Sequence, residues 1–262
     1  MTSLPINYGL TTKIYYHQST KEAKKFFELF IYKNSSDNMC YEINKSEESY
    51  VDKAQLSFML DILAESCYSV IYPIQLQRET NNRLTIENYN EIVERWYVKR
   101  PSIEHYFKGE VSINYCNKFN EIIEDKTILD HHLQNDSFIF YITQTRTILG
   151  KSYYEPYHHT IPIMAMVNLP FVTTETKVEK EMNEDNLIYF QVKASQDASY
   201  SNAIINKLIQ AKLLKANKKE HQWSYVLKGF VSEDKTLHNL TMTILFGNME
   251  QVKIEIDIAK MS

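Results

Sequence analysis

Between Trp223 and Ile258 the side chains change character at every second position, three times over. Trp223, Tyr225 and Leu227 alternate with Ser224, Val226 and Lys228. Leu240, Met242, Ile244 and Phe246 alternate with Thr241, Thr243 and Leu245, and Val252, Ile254, Ile256 and Ile258 with Lys253, Glu255 and Asp257. A strand presents successive residues to opposite faces, so this period describes three strands with one dry and one wet face. Ser232-Glu233-Asp234-Lys235 and Gly247-Asn248 interrupt the runs where turns are needed, the second pair suiting a two-residue hairpin. The segment is therefore an antiparallel meander whose apolar face must lie on something.

Upstream, residues 172–182 and 187–194 read as strands. A helix capped by Asp197 or Ser199 then carries Tyr200, Ile204, Ile205, Leu208, Ala211 and Leu213 as an apolar stripe. The N-terminal half has a similar order. Residues 13–16, 26–32 and 39–43 read as strands, and Asp52 caps a helix with Leu56, Met59, Leu60, Leu63 and Cys67 on one side. Tyr72, Ile74 and Leu76 form a strand that Asn81-Asn82 turns back into Leu84 and Ile86. Asn88 with Glu91 is an Asn form of the capping box, opening a helix with Ile92, Val93 and Trp96 and an i,i+4 pair, Glu91 with Arg95. Residues 101–147 read as mainly helical. The expected fold class is α+β, with two similar β-β-α-β-β lobes whose curved antiparallel sheets each pack on a helix. The lobes fall at residues 1–100 and 161–262, the second ending in the three-stranded meander. A helical connector with a Tyr/His-rich loop joins them at 101–160.

Glycine is nearly absent: five in 262 residues, at Gly9, Gly109, Gly150, Gly229 and Gly247. Phosphate loops and nucleophile elbows need clustered glycines, so GxGxxG, GxxxxGK[ST] and GxSxG are all excluded. The net charge of −4 gives no electrostatic case for nucleic acid. The basic run Lys207, Lys212, Lys215, Lys218 and Lys219 reads as a solvated helix end. Cys40, Cys67 and Cys116 are too few and too widely spaced for a disulfide framework, and read as buried free thiols of a reducing compartment. No stretch approaches the about 18 apolar residues of a membrane span, and the first ten residues lack the regions of a signal peptide. A cytoplasmic location is the expectation if residue 1 is the native N-terminus.

Four histidines form two adjacent pairs, His131-His132 after Asp130 and His158-His159 near Glu155. Helical ligands for one ion sit at i,i+3 or i,i+4, whereas neighbours diverge by about 100°. No catalytic set, metal site or cofactor is expected. Cys67 belongs to an apolar stripe, and Glu47-Glu48 and Glu124-Asp125 read as exposed charges.

The segment Lys151-Ser152-Tyr153-Tyr154-Glu155-Pro156-Tyr157-His158-His159-Thr160 stands out, without strand or helix periodicity. Tyrosine offers a large, rigid, amphipathic contact surface at low entropic cost. Tyr153, Tyr154, Glu155, Tyr157, His158 and His159 are therefore the candidate binding residues of a recognition loop. The expected function is a non-catalytic protein-binding module of a bacterial system, immunity-, adaptor- or chaperone-like. Its partner is another protein, with neither nucleic acid nor membrane. One alternative is a carrier or sensor of an apolar small molecule in a sheet–helix cavity, with Phe26, Phe27, Phe30 and Trp96 as candidate lining. A second is a metal-dependent hydrolase using the paired histidines.

Overall fold

The three alternating segments are strands in the computed structural model: β10 (Trp223–Val231), β11 (Leu237–Phe246) and β12 (Val252–Lys260). They pair antiparallel, with Tyr225 opposite Ile244 and Ile244 opposite Ile254. Before them come β1 (Ile6–Tyr16), β2 (Ser19–Lys33), β3 (Met39–Val51), β4 (Ala54–Gln55), α1 (Met59–Tyr68), a 3-10 turn (Ser69–Ile71), β5 (Ile74–Arg78) and β6 (Leu84–Ile86). The helices α2 (Tyr89–Tyr106), α3 (Glu110–Glu124), α4 (Lys126–Gln134) and α5 (Ser137–Ser152) follow, then β7 (His158–Met164), β8 (Val167–Lys180), β9 (Ile188–Gln196) and α6 (Asn202–Gln210). The structure describes residues 4–16, 19–33, 39–52, 54–55, 58–79, 83–164, 167–180, 186–197, 202–211, 213–214, 222–232, 236–247 and 252–261. Leu56, Asn81, Asn82, Ser199, Tyr200, Glu233, Asp234, Lys235, Asn248 and the lysines Lys212, Lys215, Lys218 and Lys219 lie outside them. Among the described residues, twelve strands paired antiparallel in an open sheet, six α-helices and the short 3-10 helix make an α+β architecture. The chain divides into two units, one of residues 1–8, 24–134 and 261–262, the other of residues 9–23 and 135–260.

In the first unit the strand order is β6-β5-β3-β2, with β4 beside β3. Phe27 and Leu29, Tyr41 and Ile43, Ile74 and Leu76, and Leu84 and Ile86 are buried at every second position of their strands. Each buried aliphatic side chain contributes about 1.5–3 kcal/mol before ordering entropy is subtracted. The helix α3 buries Ser112, Cys116, Phe119 and Ile123, the i,i+4,i+7,i+11 spacing of one helical face. Phe119 meets Trp96 of α2 edge-on at 4.9 Å, and the Trp96 indole N–H donates to Asn120 at 2.8 Å.

Two local expectations change here. Asp52 does not cap α1. Tyr50 pairs with Gln55 and Val51 with Ala54, so Asp52 sits at the corner of a tight hairpin with φ 51°, a conformation that Asp tolerates better than most residues. The helix begins at Met59, behind Phe58. Asn88 does occupy the N-cap position of α2, but its side chain makes no cap bond. It is buried, and it accepts from the Gln75 amide at 2.9 Å while donating to the Pro73 carbonyl at 3.0 Å. The start of β5 has backbone groups that no ladder satisfies, and the amide side chain meets both.

In the second unit the order is β1-β12-β11-β10-β9-β8-β7. The meander buries its predicted face: Trp223, Tyr225 and Leu227, then Leu240, Met242, Ile244 and Phe246, then Val252, Ile254, Ile256 and Ile258. Phe190, Val192 and Ala194 continue that alternation on β9, and Leu169, Phe171 and Thr173 on β8. Tyr141 of α5, fully buried, donates its hydroxyl to the Met242 sulfur at 2.8 Å. β11 approaches Gly229 closely, since a Cβ there would stand 2.2 Å from the Asn239 carbonyl oxygen. Asp197, expected to cap the helix near 200, instead binds His158.

Candidate functional site

The segment expected to be an irregular loop is a helix end, a turn and a strand. Lys151 and Ser152 close α5, and His158 opens β7. The strand phase was present in the sequence: His159, Ile161 and Ile163 alternate, and the two isoleucines are buried. On the turn, Tyr153 is 59% exposed and Tyr154 86%, the two rings meeting edge-on at 5.3 Å. Glu155 is exposed.

The strand end below the turn is anchored. The His159 ring stacks on Tyr157 with centroids 5.3 Å apart, and its Nδ1 lies 3.0 Å from the Tyr157 carbonyl oxygen. A carbonyl only accepts, so Nδ1 carries the proton and Nε2 accepts from the Tyr225 hydroxyl at 2.7 Å. Burial holds the His159 pKa below the ordinary histidine range. His158 turns outward, with Nδ1 2.5 Å from Asp197. Tyr153, Tyr154, Glu155 and His158 are thus exposed at one corner, while Tyr157 and His159 are half-buried and stacked on each other beneath it.

Among the described residues, β7 ends the strand order and pairs with β8 alone. The Thr173 amide donates to the Tyr157 carbonyl at 3.1 Å. By the parity of an antiparallel ladder, His159 and Ile161 also face β8, and His158, Thr160 and Pro162 direct their backbone groups away from it. Pro162 has no N–H to offer, so it occupies a position that costs the ladder nothing.

The first unit contains a cavity of about 760 Å³ that sequence reasoning missed. Its wall takes Asn44, Lys45, Ser46, Glu48 and Ser49 from β3, Ile62, Glu65 and Ser66 from α1, then Ser69, Tyr72 and Pro73, and Lys99 from α2. Lys45 is paired with Glu65, and its side chain is only 5% exposed. The Lys99 ammonium donates to the Ser69 hydroxyl at 2.7 Å, which in turn donates to the Ser66 carbonyl at 2.7 Å. Arg95 holds the floor of this wall by donating to the carbonyls of Val70 at 2.8 Å, Ile71 at 3.2 Å and Pro73 at 2.9 Å. Ser49 is 6% exposed, and its hydroxyl has no hydrogen-bond partner among the described residues.

The other candidates resolve into packing. His132 bonds the Tyr68 hydroxyl. Asp130 is buried and accepts from the Ile86 amide at 3.2 Å, and burial raises its pKa. Among the described residues no three of His, Cys, Asp and Glu converge on a point that could hold a metal ion. Phe27 and Trp96 are buried, Phe27 against Tyr72 and Trp96 against Phe119, and Phe26 meets Tyr50 edge-on. Among the described residues no helix is long and apolar enough to cross a membrane.

No family model matches the chain, and no curated protein matches it. A solved structure titled lipid–protein interactions in lipovitellin is similar over 98% of this chain and 25% of that one, with 7% identity and a TM-score of 0.41. The chain therefore spans about a quarter of that neighbour's length.

Proposed function

We propose that this chain is a non-catalytic protein-binding module whose partner lays an extended segment along the outward edge of β7. The observation that carries the reading is one juxtaposition: a pair of exposed tyrosines standing directly before the strand that ends the sheet order. An edge strand offers unpaired backbone groups to a second chain, and aromatic side chains beside it supply the buried anchors such a contact needs. Pro162 limits the usable edge to its first residues, His158 and Thr160. The net charge of −4 supports a protein partner over nucleic acid. The cavity does not favour an apolar cargo, since its wall carries two lysines, two glutamates and four serines. A pair of related lobes is part of the same proposal, supported by the order β2-β3-α1-β5-β6, with the two-residue β4 as an insertion before α1, and β8-β9-α6-β10-β11.

The test compares quantitative affinity purification of the wild-type chain with a Tyr153→Ala/Tyr154→Ala variant whose melting temperature is unchanged. The expected result is one stoichiometric protein lost by the variant, which then slows amide exchange at residues 158–161 of the wild type. Retention of that protein by the variant, or exchange protection elsewhere, overturns the reading.

A further inference from the structure

In the first unit two cysteines meet side chain to side chain. Cys67 belongs to the buried face of α1, with Leu63, and Cys116 to the buried face of α3, with Phe119 and Ile123. Both are fully buried. The two helices pack at this point: the ring of Tyr68, next in the chain to Cys67, lies 5.3 Å from that of Phe119, one helical turn beyond Cys116. The thiols share a hydrogen bond, and the Tyr115 hydroxyl feels both sulfurs. Burial raises both thiols, Cys67 to about 12, while Lys99 acts on Cys67 and Arg100 on Cys116 in the opposite sense. Cys40 stands elsewhere, on β3 opposite Gln77. A single buried cysteine serves as a small hydrophobe, but a facing pair offers a chemistry that packing does not need.

We propose that Cys67 and Cys116 form a reversible cross-link between α1 and α3, closed by a small disulfide of the glutathione kind and opened by a dithiol reductant. One cysteine thiolate attacks the oxidant's disulfide, giving a mixed disulfide and one small thiolate. The second cysteine thiolate attacks the protein sulfur of that mixed disulfide and releases the other small thiolate. Each cysteine gives up one proton, the cysteine pair loses two electrons, and the oxidant gains them. A disulfide needs Cβ atoms about 3.8 Å apart, a spacing within reach of side chains whose sulfurs are already hydrogen-bonded. Neither sulfur is accessible in the closed unit, so the exchange runs as the unit folds or opens, and the native contact selects which pair survives. The helix α1 supplies Ile62, Glu65 and Ser66 to the cavity wall, and the cross-link fixes that wall against α3. Both cysteines belong to the first unit, so the proposal stands apart from the reading of β7.

The full chain, refolded from denaturant in a mixture of oxidised and reduced glutathione and mapped by mass spectrometry after its free thiols are blocked, tests the pair. The expected product is one Cys67–Cys116 disulfide with Cys40 free. Its melting temperature is raised by about 10 °C and returns to the reduced value in dithiothreitol. In the unfolded chain the shortest loop, Cys40 to Cys67, closes most readily, so selection of Cys67–Cys116 reports the native contact. Cys40→Ser retains the cross-link and the shift, whereas Cys67→Ala and Cys116→Ala lose both. The Cys40→Ser chain keeps both partners and carries the test even where an alanine variant fails to fold. A majority of pairs with Cys40, glutathione retained on Cys67 or Cys116, or an oxidised chain that melts no higher than the reduced one overturns the proposal.

Discussion

Two single residues carry sharp consequences. Gly229 faces backbone, not a flexible side-chain end, so a methyl group added there has nowhere to go. Gly229→Ala is expected to cost roughly 2–4 kcal/mol, a severe overpacking, read as a lower urea midpoint; an unchanged midpoint refutes the close approach. Its neighbours Lys228 and Phe230 give no hint of this in sequence, because the constraint comes from a partner strand some ten residues away. His159 sets a pH dependence. Its folded pKa lies below the unfolded value near 6.5, so the unfolded chain takes up the proton first. The contribution is complete above that value and is lost as the pH falls below it. Melting temperatures between pH 7.5 and 5 are expected to decline, and His159→Gln to flatten part of the decline.

At the scale of elements, strands were legible wherever apolar residues kept the period of two, as in β10 to β12. They were hidden where the same phase ran on through polar residues. The inward series Tyr41, Ile43 and Lys45 continues to Ser49, yet the run Asn44 to Ser49 has the composition of a loop. That is why the cavity wall escaped notice: its residues look solvated in sequence, and only the strand phase reveals that two of them turn inward. The α5–β7 corner was half legible, since its tyrosines announced exposure while its histidines concealed a strand. A different device supports the cavity. One Arg95 guanidinium gathers three carbonyls at the end of α1 and the start of β5. Arg95→Ala is expected to destabilise the protein by about 2–3 kcal/mol, as charged hydrogen bonds to the carbonyls of Val70, Ile71 and Pro73 are lost. Amide exchange should quicken first at residues 70–75, and a uniform quickening across the first unit argues against this role.

Over the whole molecule, neither unit is a continuous stretch of chain. All three cysteines, Cys40, Cys67 and Cys116, are buried in the first. Burial pushes the Cys67 thiol up to about 12, so a thiol reagent at pH 8 meets almost no thiolate there. The native protein is expected to resist labelling and to take up three equivalents in denaturant, which makes the labelling rate a clock for opening of that unit. Rapid native labelling of Cys67 contradicts its packing. In the second unit β1 lies next to β12, and the Tyr15 hydroxyl donates to Glu255 at 2.5 Å across 240 residues. At synthesis rates of roughly 5–20 residues per second, Tyr15 is made about 12–48 seconds before its partner exists. Throughout that wait β1, beside β2 on one side, keeps its other edge open, so the hazard to this protein lies in its manufacture, and a chaperone that sheltered that edge of residues 9–16 on the ribosome would guard the step most exposed to misassembly.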